Sequence, residues 1–120
     1  MLEGVAFSQR QGLELMQAAG ASADVARGAG GGLQSRVWLE IMADTLGIGI
    51  QTPSAATGAA RGAAVLAGLG IGLYADANVG IAWAEQPLQM PNAARRAALE
   101  PAFGLYERLY PALKSTFAQF

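Results

Sequence analysis

The stretch Gly28-Ala29-Gly30-Gly31-Gly32-Leu33-Gln34-Ser35 decides how this chain is read, because of what stands on either side of it. Before it, Asp24 to Ala29 reads as a short strand, although Gly28 and Ala29 give little side chain to pack. After it, Ser35 to Leu46 carries Val37, Trp38, Ile41, Met42 and Leu46 at helical spacing. Gly47 follows, and a glycine there can take the left-handed conformation that closes a helix. The resulting order is strand, glycine turn, helix. Glycines without a Cβ let a ligand reach the backbone, and the amides at a helix start attract negative charge, so a nucleotide phosphate is the natural guest. The bare pattern fits a plain tight turn equally well. It is not a Walker loop, since no Gly-Lys-Ser/Thr follows, and Leu33 stands where the last glycine of a dinucleotide fingerprint opening at Gly28 would fall.

Downstream of that unit, Ile48, Ile50 and Thr52 alternate over a second short strand that Pro53 stops, and Ser54 to Thr57 reads as a loop. Upstream, Leu2 to Ala19 reads as an amphipathic helix ended by Gly20. Its stripe is Leu2, Ala6, Gln9, Leu13 and Met16, widened by Val5 and Leu15, with Glu3 and Glu14 on the polar side. No capping residue precedes Leu2, so the unit is expected to begin further upstream. Gly58 to Tyr74 is built of Ala, Gly and Leu and predicts a helix whose small face can lie close to a neighbouring backbone.

Asp76 to Pro91 has no clear period and reads as an irregular connection. Asn92 to Phe120 is expected to be helical in pieces: Asn92 caps Ala93 to Leu99, Pro101 opens a new helix, and Pro111 interrupts it. Leu105, Leu109 and Leu113 recur there every fourth residue. Arg95 and Arg96 read as a solvated helix face, Tyr106 and Tyr110 as a packed terminal helix, and Trp38 with Ile41 and Met42 as core. The order helix, strand, helix, strand, helix points to an α/β unit with parallel strands and crossover helices. A two-stranded parallel sheet is marginal by itself, so a piece of a larger unit is expected.

Composition narrows the chemistry. The 120 residues suffice for one domain, and 26 of the apolar ones are alanines, which leaves a modest supply of larger side chains for a core. Eight basic residues against nine acidic give a net charge of −1, which argues against a nucleic-acid partner. The sequence has no Cys and no His, so thiolate chemistry, disulfides, the usual zinc sites and imidazole catalysis are excluded. Glu3 stands where a signal peptide carries its basic start, and the uncharged runs, such as that between Arg61 and Asp76, stop short of the roughly 18 residues of a membrane span. A cytoplasmic setting without membrane contact is the expectation.

Four blocks carry a family resemblance. They are Leu2-Glu3-Gly4-Val5-Ala6-Phe7-Ser8 with Arg10 to Leu15; Gly30 to Ser35 with Trp38-Leu39-Glu40-Ile41-Met42-Ala43-Asp44; Gly62 to Gly68 with Gly70 and Gly72; and Tyr106-Glu107-Arg108-Leu109-Tyr110-Pro111-Ala112-Leu113-Lys114. In this order they resemble the C-terminal domain of the FGGY carbohydrate kinases, and within that family they are most similar to xylulose kinases. The resemblance implies a partial actin-like, ribonuclease-H-like ATPase fold in which two domains close on ATP, magnesium and a sugar. It implies transfer of the γ-phosphoryl group to a sugar hydroxyl, here the 5-hydroxyl of D-xylulose. By position, the adenosine and phosphate side of the cleft falls on Gly30, Gly31, Gly32, Leu33 and Ser35, with Arg36 where glycerol kinases place an asparagine near the adenine.

The family's catalytic carboxylate resembles nothing in this sequence, and the resemblance implies that it and the sugar pocket come from an N-terminal domain expected to lie outside these 120 residues. Residues 1–120 are thus expected to be part of a nucleotide-side domain, inactive alone, since phosphoryl transfer depends on positioning both substrates. The alternative expectation is a non-catalytic small α/β protein that forms a homo-oligomer or docks on a partner through exposed apolar surface.

Overall fold

A computed structural model describes residues 2–52, 59–77 and 88–119. Helix α1 runs Leu2–Ala18, strand β1 Val25–Arg27, helix α2 Arg36–Leu46, strand β2 Gly49–Gln51, helix α3 Ala59–Gly70 and helix α4 Ala93–Phe117. One turn of 3-10 helix, Gly31–Gln34, stands between β1 and α2. β1 and β2 pair in parallel, Val25 opposite Gly49, Ala26 opposite Ile50 and Arg27 opposite Gln51. The strands are shorter than their patterns suggested: Asp24 and Gly28 contribute one backbone bond each, Gly49 N–H to Asp24 O at 3.0 Å and Gly28 N–H to Gln51 O at 2.9 Å. Residues 53 to 58, which hold the Pro53 stop and the Ser54 to Thr57 loop, lie outside the described residues, as do 78 to 87.

Among the described residues the buried apolar side chains are Ala6, Phe7, Ala43, Ile50 and Phe103, where α1, α2 and α4 meet. Ala6 on α1 and Ala43 on α2 are wholly buried. The Phe7 ring meets Phe103 edge-on at 5.5 Å between centroids and Tyr106 at 5.6 Å. Such pairs add about 0.5 to 1.5 kcal/mol to what their burial contributes. The inward face of α1 therefore differs from the expected stripe. Ala6, Phe7 and Arg10 point in, whereas Leu2, Val5, Leu15 and Met16 are half or more exposed. The aromatic cluster contributed by α4 sets that rotation, because burying Phe7 removes more apolar surface from water than burying Leu2 or Met16 would.

Helix ends follow local chemistry. Gly20 at φ +94° closes α1 with Ala21 N–H donating to Met16 O at 3.0 Å, and Gly47 at φ +71° closes α2 with its amide on Ala43 O at 2.8 Å. Asn92 caps α4 by accepting from the Arg95 amide at 3.0 Å.

α4 is one continuous helix and not the expected pieces, with Pro101 and Pro111 inside it. Both rings sit on exposed positions, where water can reach the carbonyls that a proline leaves without a donor. Around Pro101 the helix is held by Arg10 on Glu100 and by Phe7 on Phe103.

Two further expectations change. The end of the irregular connection is part of the sheet: Ile50 and Gln89 exchange backbone hydrogen bonds of 2.9 Å in an antiparallel bridge, so β2 is paired on both sides. α3 does not bring its small face against another backbone among the described residues. Gly62 and Gly70 face open space, and Gly68 instead makes room for the ring of Tyr74 folding back from the end of the same segment.

Candidate functional site

The glycine loop is built in two layers. Leu33 turns inward and its Cδ1 occupies the space that a side chain at Gly28 would need, which anchors the loop to the end of β1. Above that anchor, Gly30 takes φ +120°, a conformation that L side chains rarely adopt. A Cβ added at Gly30 or Gly31 would meet nothing within 4 Å. At Gly32 it would lie 3.7 Å from Trp38 Cδ1 and 3.8 Å from Trp38 Nε1, so the half-buried indole borders the loop. Trp38, expected as plain core, thus stands at the edge of the candidate site. Its signal in the sequence was its place, one helical turn after Ser35.

Within the loop the amide of Leu33 donates to Gly30 O at 3.2 Å and that of Ser35 to Gly32 O at 3.1 Å. Gly31 and Gly32 open the 3-10 turn, where no earlier carbonyl of the same turn is in reach of their N–H groups. The loop therefore offers exposed backbone without Cβ atoms, at the positive end of α2. Backbone of that kind suits an anion. The described residues bring Gly30, Gly31 and Gly32 together there, with Leu33 as their anchor. Ser35 is occupied as the N-cap of α2, its hydroxyl accepting from the Trp38 amide at 3.4 Å. Arg36 extends into solvent and pairs with Glu40 one turn on, at 3.0 Å.

The far end of α2 is closed by charge. Asp44 is buried, accepts the Asn92 amide at 2.6 Å on one oxygen and receives Arg95 Nε on the other. The hydrogen bond that Arg95 donates to Asp44 holds its guanidinium above its ordinary pKa. The Arg96 guanidinium lies over Gly47, in the space any side chain there would need. These two arginines, expected as a solvated face, fasten α4 to α2.

On α1, Arg10 is buried, stacks 3.8 Å from the Phe103 ring centre and reaches Glu100 with both terminal nitrogens, at 2.8 and 3.0 Å, and Glu14 with Nε at 2.8 Å. Burial works against the charge of Arg10, but the hydrogen bonds it donates to Glu100 and Glu14 outweigh it and raise its pKa. The hydrogen bonds accepted from Arg10 hold Glu100 below the usual carboxylate range.

The aspartates do not assemble into a catalytic pair. Asp24 precedes β1, Asp44 is the buried clamp, and Asp76 follows α3. Among the described residues no group of three or more aspartates and glutamates could hold a metal ion. The loop itself presents amides, which suit phosphate oxygens and not a cation, so no residue here is assigned to magnesium. No helix among the described residues is long and apolar enough to cross a membrane.

Known proteins share this arrangement. The FGGY family of carbohydrate kinases, C-terminal domain, matches residues 1–71, which include α1, the glycine loop and α2. A probable L-xylulose kinase of Pasteurella multocida is 33% identical over 94% of this chain, and a xylulose kinase of Bacillus subtilis 30% identical over 92%. Among solved structures, a kinase from Brucella ovis, titled a xyloylose kinase, superposes with a TM-score of 0.77 at 36% identity over 96% of the chain. A ligand-bound xylulose kinase from Lactobacillus acidophilus superposes at 0.79 with 22% identity, which speaks to the fold alone. The chain spans about a quarter of the length of these relatives, 23% and 22% of the two curated proteins and 24% of each structure. The short parallel sheet and its helices are a portion of the actin-like ATPase fold of sugar kinases, and the chain belongs to the FGGY family of carbohydrate kinases.

Proposed function

We propose that residues 1–120 form part of the nucleotide-side domain of a xylulose-kinase-like sugar kinase, with the glycine loop receiving the adenosine and inner phosphates of ATP. In this reading the complete enzyme transfers the γ-phosphoryl group of ATP to the 5-hydroxyl of D-xylulose, with magnesium carried by the nucleotide. The observation that carries it is the open space over Gly30 and Gly31 at the head of α2, directly after a parallel strand. A phosphate can approach amides there that no Cβ shields, and the helix end favours its charge. Trp38 supplies a flat apolar border to the same surface. The sugar pocket and the base that takes the hydroxyl proton are assigned to residues outside this chain, as are the opening strands of its own domain. Alone, the chain does not turn nucleotide over.

Isothermal titration of ATP or ADP with magnesium tests this on the chain itself and on a chimera in which a related xylulose kinase supplies the other three quarters. Binding in either supports the reading; no binding in both overturns it. In the chimera, Gly32→Val weakens nucleotide binding, because a branched side chain then stands between Trp38 and the approaching phosphate. Unchanged affinity in that variant would remove the loop from the site.

A further inference from the structure

We propose that the C-terminal half of α4 docks antiparallel against the same half of α4 in a second copy of this chain. The sequence of α4 carries an apolar seam spaced alternately by four and three: Leu99, Phe103, Tyr106, Tyr110, Leu113 and Phe117. That spacing is the mark of a helix meant to pack lengthwise on another helix. Among the described residues the first half of the seam has a partner, Phe7 of α1 against Phe103 and Tyr106, and the second half has none outside α4. Beyond Tyr106 every described residue of α4 is exposed, with Tyr110 at 64%, Leu113 at 41% and Phe117 at 56%. The Tyr110 and Phe117 rings nevertheless stack on each other with centroids 6.4 Å apart, so the second half of the seam forms one apolar face. A short helical stretch that contains Pro111 gains little from propensity and depends on packing for its stability.

Charge selects the occupant and its direction. Glu107 and Lys114 are seven residues apart and exposed, and they therefore flank the same side of the seam. A twofold axis reverses the second helix and brings this side of both copies together. Tyr110 then faces Leu113 of the second copy, and Glu107 stands beside Lys114 of the second copy, with each contact made twice. A parallel pair sets the Glu107 side against the Leu109 side and forms neither ion pair. The face is thus complementary to itself in one orientation only.

Light scattering coupled to size-exclusion chromatography, run on the 120-residue chain over a range of concentrations, tests the proposal. The unaltered chain dimerises with rising concentration. Glu107→Lys and Lys114→Glu each place like charges together and weaken the dimer about tenfold, a sum of small surface terms. An equimolar mixture of those two variants restores association to the level of the unaltered chain, since every Lys then meets a Glu. Leu113→Asp is monomeric while its far-ultraviolet circular dichroism stays helical; should that variant lose its fold, the charge-exchange mixture decides alone. A monomer at all concentrations, association indifferent to Glu107→Lys, or a mixture no stronger than its separate components would each overturn the proposal.

Discussion

The two ends of α2 are made of opposite materials. At its start, three glycines present bare backbone with open space over two of them, and Arg36 pairs with Glu40 one turn further along the helix. At its end, a buried aspartate takes a backbone amide and an arginine from α4, and a second arginine covers Gly47. A helix fixed at one end and unencumbered at the other holds its open end at a set distance and angle from the rest of the molecule. That is what a phosphate site asks of its scaffold, because positioning carries most of the catalysis in phosphoryl transfer. Substitutions at the fastened end should therefore cost stability, and substitutions at the open end should cost binding only.

The largest expected effect on stability is at the aromatic contact that seats α4. Phe7→Ala leaves a cavity against Phe103 and Tyr106 and lowers the unfolding free energy by about 3 kcal/mol in urea titrations. A loss under about 1 kcal/mol would mean that the three helices are not held there. Next, Asp44→Ala removes the buried carboxylate that accepts from the Asn92 amide and from Arg95, and destabilises by about 2 kcal/mol, read from the same titrations. If nucleotide affinity of the folded fraction fell with it, the two ends of α2 would not be separable.

A smaller, pH-dependent effect attaches to Glu100. Arg10 lowers its pKa in the folded chain, so the contribution of that pair is fully present above the ordinary glutamate value of about 4.3 and is lost as pH falls through the lower folded value. Acid titration of Glu100→Gln should lack this component below pH about 4, while the two proteins show the same pH dependence at neutrality. An identical acid limb in both would contradict the assignment.

What could be foreseen from the sequence divides along a similar line. The end of α1 at Gly20, the Asn92 cap, the Gly47 stop and the strand-loop-helix order were legible because each depends on neighbours within a few residues. Family membership was legible for another reason: four blocks in a fixed order are far more specific than any one of them.

The rotation of α1 was not, since it turns on Phe103, nearly a hundred residues away. Nor was the clamp, because Asp44 and Arg95 are 51 residues apart and each taken alone reads as helix surface. Pro101 and Pro111 looked like breaks because the packing of Phe7 and Arg10 that carries α4 through the first of them is distant in sequence. At the candidate site, Gly30 to Gly32 were readable as bare backbone, whereas the inward turn of Leu33 and the placement of Trp38 required the fold.

Gly31→Ala tests the central claim most directly, with unfolding and nucleotide affinity measured on the same preparation in the chimera. A methyl group there meets no protein atom, so stability should stay within about 0.5 kcal/mol of the unaltered protein while affinity for ADP falls severalfold as the methyl enters the phosphate's path. Unchanged affinity at unchanged stability would show that the open end of α2 is not where the nucleotide sits.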